Sequence, residues 1–282
     1  MSDSASVYAS PSLWSRIPVY AAFMRIAFLE ILAYRLRYVT GILTYLLFVS
    51  VHYFIWSAVY ANQADGSVIN GFTLPEMITY ITIGWVSRSL YFSNIDEEID
   101  DLVRSGQISL YLLRPVSFQF MMLSHAIGQS LFRLFFFTAP IALVVFGVYE
   151  VQPPASLRDG LLFLLVIGIG FFMLAFVNFL IGMLAFSFKS IDGVMRSKYY
   201  LVQLLSGLLL PLSYFPKSIE TVLSWLPFQA LTYLPLKFYL GKIPEEQMLS
   251  TILFQVGWVI VLGTLGVLLW KRATAKLTIQ GG

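Results

Sequence analysis

Apolar residues in this chain gather into long runs, and run length constrains the fold more tightly than any motif. Five runs stand out, at 38–60, 75–94, 118–148, 160–188 and 249–270. A helix of about 20 residues crosses a hydrocarbon layer of about 30 Å. Backbone polar groups facing lipid must be satisfied internally, so runs of this kind are expected to be helices. The sequence is 58% hydrophobic and 12% charged, whereas a soluble domain is about half apolar and about a quarter charged. An all-α polytopic membrane protein is therefore expected. A sixth run, 199–240, is longer and broken: its first part, YYLVQLLSGLLLPLSYF, is interrupted by Pro216, Lys217, Ser218 and Glu220, and its second part contains Pro227 and Pro235.

Charge selects the topology. With six spans and both termini inside, the inner segments hold Arg16, Arg25, Arg35, Arg37, Arg104, Arg114, Lys189, Arg196, Lys198, Lys271, Arg272 and Lys276. The outer segments then hold only Arg158, Lys217, Lys237 and Lys242, as the positive-inside tendency prefers. A seventh span would move Lys271, Arg272 and Lys276 outside. Residues 215–241 are therefore expected to form a re-entrant or surface-lying hairpin on the outer side. Residues 12–37 carry Trp14, Ile17, Met24, Phe28 and Ile31 at roughly helical spacing among arginines, the pattern of a helix lying in the inner interface. Trp56, Tyr60, Tyr149 and Trp270 sit at span ends, where an aromatic belt would place them. No internal repeat or soluble domain interrupts residues 1–282, which read as one transmembrane domain. The first ten residues lack a basic region followed by an apolar one, so no cleavable signal is expected.

Several chemistries find no support. Without cysteine there are no disulfides, thiolate metal sites or thiol nucleophiles. The single Gly-Lys pair, Gly241-Lys242, precedes Ile243 and does not make a phosphate-binding loop, so ATP is not expected on this chain. His52 and His125 lie in different segments without ligand-spaced partners and read as interfacial or hydrogen-bonded rather than metal-binding. No Ser-His-Asp arrangement is visible in the spans. The formal net charge of +3 does not point to nucleic acid, because most basic residues flank apolar runs.

Against this background one segment is anomalous. Asp96, Glu97, Glu98, Asp100 and Asp101 fall within six positions, just after the second run. Ile95, Ile99, Leu102 and Val103 follow helical spacing and make one apolar stripe, with the acids on the remaining surface. The acids favour the N-terminal turns, Arg104 the last turn, and Gly106 stops the helix. Inner leaflets are anionic, so an acidic helix there would be repelled by lipid. Two readings are open: a contact for a soluble partner with a basic cleft, or a solvated loop that only separates spans.

The segments IDEEIDDLVRSGQISLYLLRPVS (Ile95 to Ser117) and SGLLLPLSYFPKSIETVLSWLPFQALTYLPLKFYLG (Ser206 to Gly241) resemble those of type-two ABC exporter permeases, in particular the bacterial group with six spans and no fused ATPase. The resemblance implies a prokaryotic cytoplasmic-membrane permease that pairs with a second, identical or related permease. ATP and Mg would be bound by a separate ATP-binding cassette subunit. Residues 95–106 would then be the coupling helix, with Asp96, Glu97, Glu98, Asp100, Asp101, Leu102, Gly106 and the subsequent Arg114 meeting that ATPase. The resemblance also makes the N-terminal helix a connecting helix and 188–198 a second, shorter inner contact. An intramembrane lipid-modifying enzyme and a non-transporting membrane anchor are the competing classes.

Arg88 and Arg133 fall inside apolar runs, where charge is costly. Either they reach inner headgroups, or they face a protein seam and attract an anionic substrate or lipid headgroup. Gln203, Ser206 and Ser213 are the polar members of the fifth span and, with the two arginines, the candidates for a translocation path.

Overall fold

The computed structural model describes residues 13–33, 36–64 and 66–276. Among these every regular element is helical, apart from a bridge between Ile69 and Phe72. In chain order the α-helices are α1 (Leu13–Ala33), α2 (Leu36–Tyr60), α3 (Leu74–Tyr91), α4 (Ile95–Arg104), α5 (Ile108–Leu112), α6 (Phe118–Arg133), α7 (Ala139–Val148), α8 (Leu157–Gly182), α9 (Asp192–Leu205), α10 (Lys217–Trp225), α11 (Tyr233–Tyr239) and α12 (Glu245–Lys276). Four stretches are long and apolar enough to cross a membrane: Thr40–Tyr60, Phe118–Val148, Leu157–Phe186 and Glu245–Ala275. The third apolar run holds α6 and α7 joined through a π-helical turn, Leu134–Thr138. Pro140 explains that turn, since its ring clashes with a carbonyl four residues back and it offers no amide hydrogen to the ladder.

Helix α3 is the axis of the molecule. Tyr80, Trp85 and Met77 are among its fully enclosed side chains, and almost every residue from Thr79 to Ser89 is buried. Its N-terminus is closed by Glu76, whose carboxylate accepts from the Thr73 amide at 2.8 Å. Lys242 ties that end to the end of the hairpin segment through Glu76 at 2.7 Å and the Gly71 carbonyl at 2.9 Å. The 215–241 segment forms two unlike arms. Ile219, Val222 and Trp225 of α10 are exposed, whereas α11 is buried, with Leu236 and Phe238 fully enclosed. A Cβ on Gly84 of α3 would stand 3.2 Å from Leu236 Cδ1, and one on Gly170 of α8 would stand 2.9 Å from the Ala230 carbonyl oxygen. The missing side chains let the segment sit between those two helices.

The apolar run at 199–240 departs from a plain span. Helix α9 starts earlier than the run, at Asp192, and stops at Leu205 after 14 residues, about 21 Å of rise. Gly207 takes a left-handed φ of 83°. The carbonyls released at this break are satisfied within the bundle: the Tyr233 amide donates to the Ser206 oxygen at 3.0 Å, and the Tyr80 hydroxyl donates to the Gly207 oxygen at 2.7 Å. Gly207→Ala would put a side chain into a left-handed residue and a Cβ 2.9 Å from Leu212 Cδ1 and the Tyr80 oxygen. It is expected to lower stability by about 2 kcal/mol, read as a drop in melting temperature of the purified protein.

Helix α1 is not a free surface element. It runs beside α6 in the same direction: Tyr20 meets Phe120, Met24 meets Gly128, and Phe28 meets Phe132 and Phe136. The packed side differs from the expected stripe. Ile17 is 51% exposed, and the fully buried residue is Ala27. The two backbones approach closely at Gly128, where a Cβ would stand 2.1 Å from the Met24 carbonyl oxygen. Residues 12 and 34–35 of the expected 12–37 helix lie outside the described residues, as do the side chains of Trp14, Arg16 and Arg37.

Candidate functional site: the α4 helix and the charged groups behind it

Helix α4 is held by one face. Ile95 and Ile99 are buried against α8, where a Cβ on Gly182 would meet Ile99 Cδ1 at 2.8 Å and Asp96 Cα at 3.3 Å. Asp96 and Asp100 lie on this same inward face, 2% and 3% exposed. The helical stripe alone sets all five acids on the outer surface, and for these two the structure corrects it. The Lys198 ammonium of α9 pairs with the Asp96 carboxylate and also donates to Asn178 Oδ1 of α8 at 2.8 Å. Asn178 Nδ2 in turn donates to the Ser93 carbonyl at 2.7 Å and its hydroxyl at 2.9 Å. Asp100 pairs with Arg104 at 3.3 Å, and Arg104 also approaches Asp192 at 3.9 Å.

The remaining acids divide again. Glu98 is half-buried: it takes a 2.6 Å hydrogen bond from Gln129 and lies 3.0 Å from His125 Nδ1. His125 Nε2 reaches Glu30 of α1 at 3.1 Å, so one imidazole ties α1, α4 and α6 together. Glu97 and Asp101 are exposed, Leu102 is half-buried, and Gly106 ends the helix with φ 72°. Arg114 comes after α5; its guanidinium lies 4.5 Å from the Tyr111 ring and 5.6 Å from the Phe23 ring of α1. An open groove of about 1230 Å³ runs between α1, α4, α5 and α6, walled by Glu98, Asp101, Leu102 and Arg114. The outward charge of α4 is thus carried by Glu97 and Asp101, while Asp96 and Glu98 tie the helix to α9 and α6, and the buried Asp100 pairs within α4, with Arg104.

Arg88 and Arg133 meet at the α3–α4 corner, both beside the Phe92 ring. Arg88 is 7% exposed and donates to the Tyr45 hydroxyl at 2.7 Å. Arg133 is also buried and donates to the Phe92 carbonyl, with Phe92's ring 5.7 Å from its guanidinium. Both side chains therefore turn into the bundle. Arg88, Gln203 and Ser206 line one small recess, whereas Ser213 lies beyond the α9 break, in the short turn Leu212–Tyr214. Asn178 and Lys198 escape notice in the sequence. Asn178 has a visible signal, a strongly polar residue inside the apolar α8 run, while Lys198 looks like one more inner basic residue.

Several membrane-length apolar helices, buried arginines and a short charged helix packed on one face describe a multi-pass membrane protein. The family model for ABC-2 family transporter proteins matches residues 46–281, and the chain belongs to that family. No curated protein matches it. Membership makes the chain a transport permease, a membrane component rather than a catalytic enzyme in its own right. The match begins inside α2, so α1 stands outside it.

Proposed function

We propose that the chain is the permease subunit of an ATP-binding cassette exporter and that α4 is the handle through which a separate ATPase subunit works it. The ATPase would bind and hydrolyse ATP with Mg, and a second permease, identical or related, would complete the transport path. Six spans with both termini cytoplasmic suit this reading: α3 would cross buried among the longer helices, α9 would cross as a short helix with one face exposed, and 215–241 would fold back on the outer side of a prokaryotic inner membrane.

The observation that carries it is the two-sidedness of α4. Its inner face is locked by Ile95, Ile99 and the Asp96–Lys198 pair, so the helix cannot move without moving α8 and α9. Its outer face presents Glu97 and Asp101, with Asp101 on the wall of a groove large enough for a partner's side chains. A solvated spacer needs no such internal anchoring. Reversing both exposed acids, Glu97→Lys with Asp101→Lys, is expected to abolish co-purification of the ATPase from native membranes while the permease remains inserted at its usual level. A complex that survives the double reversal removes the docking role of α4. Asp96 and Asp100 are unsuited to this test because they are buried.

A further inference from the structure

Arg88 is a buried cation with an incomplete set of partners. A guanidinium carries five N–H donors, and among the described residues this one makes a single hydrogen bond, to Tyr45. Around it stand the rings of Tyr45, Trp85, Phe92 and Tyr199, with centroids 5.9, 5.8, 5.3 and 5.2 Å from the guanidinium carbon. Rings near the outer limit of about 6 Å attract the charge but give its remaining donors no oxygen. No carboxylate among the described residues lies within ion-pair distance. Buried charges are ordinarily paired, so the arrangement lacks an anion.

The space for one is present. Arg88, Asn178, Lys198, Tyr199, Gln203 and Ser206 line a recess of about 30 Å³ between α3, α8 and α9. That admits about two water-sized groups, comparable to two oxygens of an oxyanion with the rest of the ligand outside. Lys198 is already engaged by Asp96 and Asn178, which leaves Arg88 as the receptor. Gln203 makes only a long 3.5 Å contact to the Tyr199 carbonyl, so its amide is available. Beside the recess, α9 turns Tyr200, Leu201 and Leu204 outward, 68%, 53% and 38% exposed. A ligand with a charged head and an apolar body matches both surfaces.

We propose that the Arg88 recess binds the oxyanion group of an anionic amphiphile, its apolar part lying along α9. The proposal deepens the transport reading by naming the class of ligand, and its test needs no ATPase, so the two can fail separately. The probes are short-chain phosphatidylglycerol, short-chain phosphatidylcholine and inorganic phosphate, added to the purified permease in detergent while its melting temperature is monitored. Phosphatidylglycerol is expected to raise it by about 3 °C and phosphatidylcholine to leave it unchanged. If inorganic phosphate alone matches phosphatidylglycerol, the oxyanion site stands and its ligand is a free anion; a response to phosphatidylglycerol alone makes the ligand an amphiphile. Arg88→Gln is expected to raise the half-saturating concentration tenfold or more, and Gln203→Ala to raise it about threefold. Gln203→Ala decides the matter if Arg88→Gln does not fold. Equal responses to the two lipids, or variants that respond as the parent does, overturn the site.

Discussion

Lys198→Met is expected to be among the most destabilising single changes in the chain, about 3 kcal/mol, with a matching fall in melting temperature and in the amount of permease recovered from membranes. The substitution keeps most of the side-chain volume, so little of the loss is packing. What it leaves behind is the Asp96 carboxylate, 2% exposed, with its cation gone, and Asn178 Oδ1 without the 2.8 Å bond it accepted. Removing one member of a buried pair costs about 3–5 kcal/mol, because the other charge stays desolvated. Asp96 sits in the first turn of α4, where the helix dipole favours an anion by about 0.3–1 kcal/mol, and this offsets part of the loss. The combination Asp96→Asn with Lys198→Met removes both charges together and is expected to recover most of the stability. Additive losses in the double variant would mean that the two groups do not act as a pair.

The Asp96–Lys198 pair also marks where the sequence stops being legible. Helical spacing identifies α4, its apolar Ile95 and Ile99 and its stop at Gly106, because those arise from local periodicity. Periodicity cannot say that Asp96 and Asp100 share the buried face: Lys198, the partner of Asp96, arrives from α9, 102 positions along the chain. Arg88 poses the same problem. A charge inside an apolar run is visible as an anomaly, but the Tyr45 and Tyr199 rings that enclose it come from α2 and α9 and meet only in the folded bundle.

Run length has a parallel success and failure. It locates the third, fourth and last long helices because burial in lipid demands uninterrupted apolar sequence. In the run at 199–240 it does not place the helix end, where Gly207 turns left-handed and the bundle supplies Tyr80 and the Tyr233 amide to the released carbonyls. An apolar run records only that water is excluded. Whether helix continues through it depends on donors contributed by other segments.

Gly128→Ala is expected to detach α1. A Cβ built there would stand 2.1 Å from the Met24 carbonyl oxygen, 2.8 Å from its carbon and 2.9 Å from its Cα. These are backbone atoms of the neighbouring helix, so no rotamer change relieves the overlap and α1 must move away from α6. With it go the Phe28–Phe132 ring contact at 5.7 Å, the 3.2 Å bond from the Ser117 amide to the Tyr20 hydroxyl, and the 3.1 Å link from Glu30 to His125. Overpacking of an unyielding contact costs about 1–3 kcal/mol, and here the loss concentrates on one helix. Trypsin should therefore cut at the exposed Arg25 far faster in the variant than in the parent, in step with a lower melting temperature. Gly168→Ala is the control: nothing lies within 4 Å of its Cβ, so protease resistance is expected to be unchanged. Parent-like resistance in Gly128→Ala would mean that α1 does not cross α6 at this glycine, and the His125 link between α1 and α4 would fall with it.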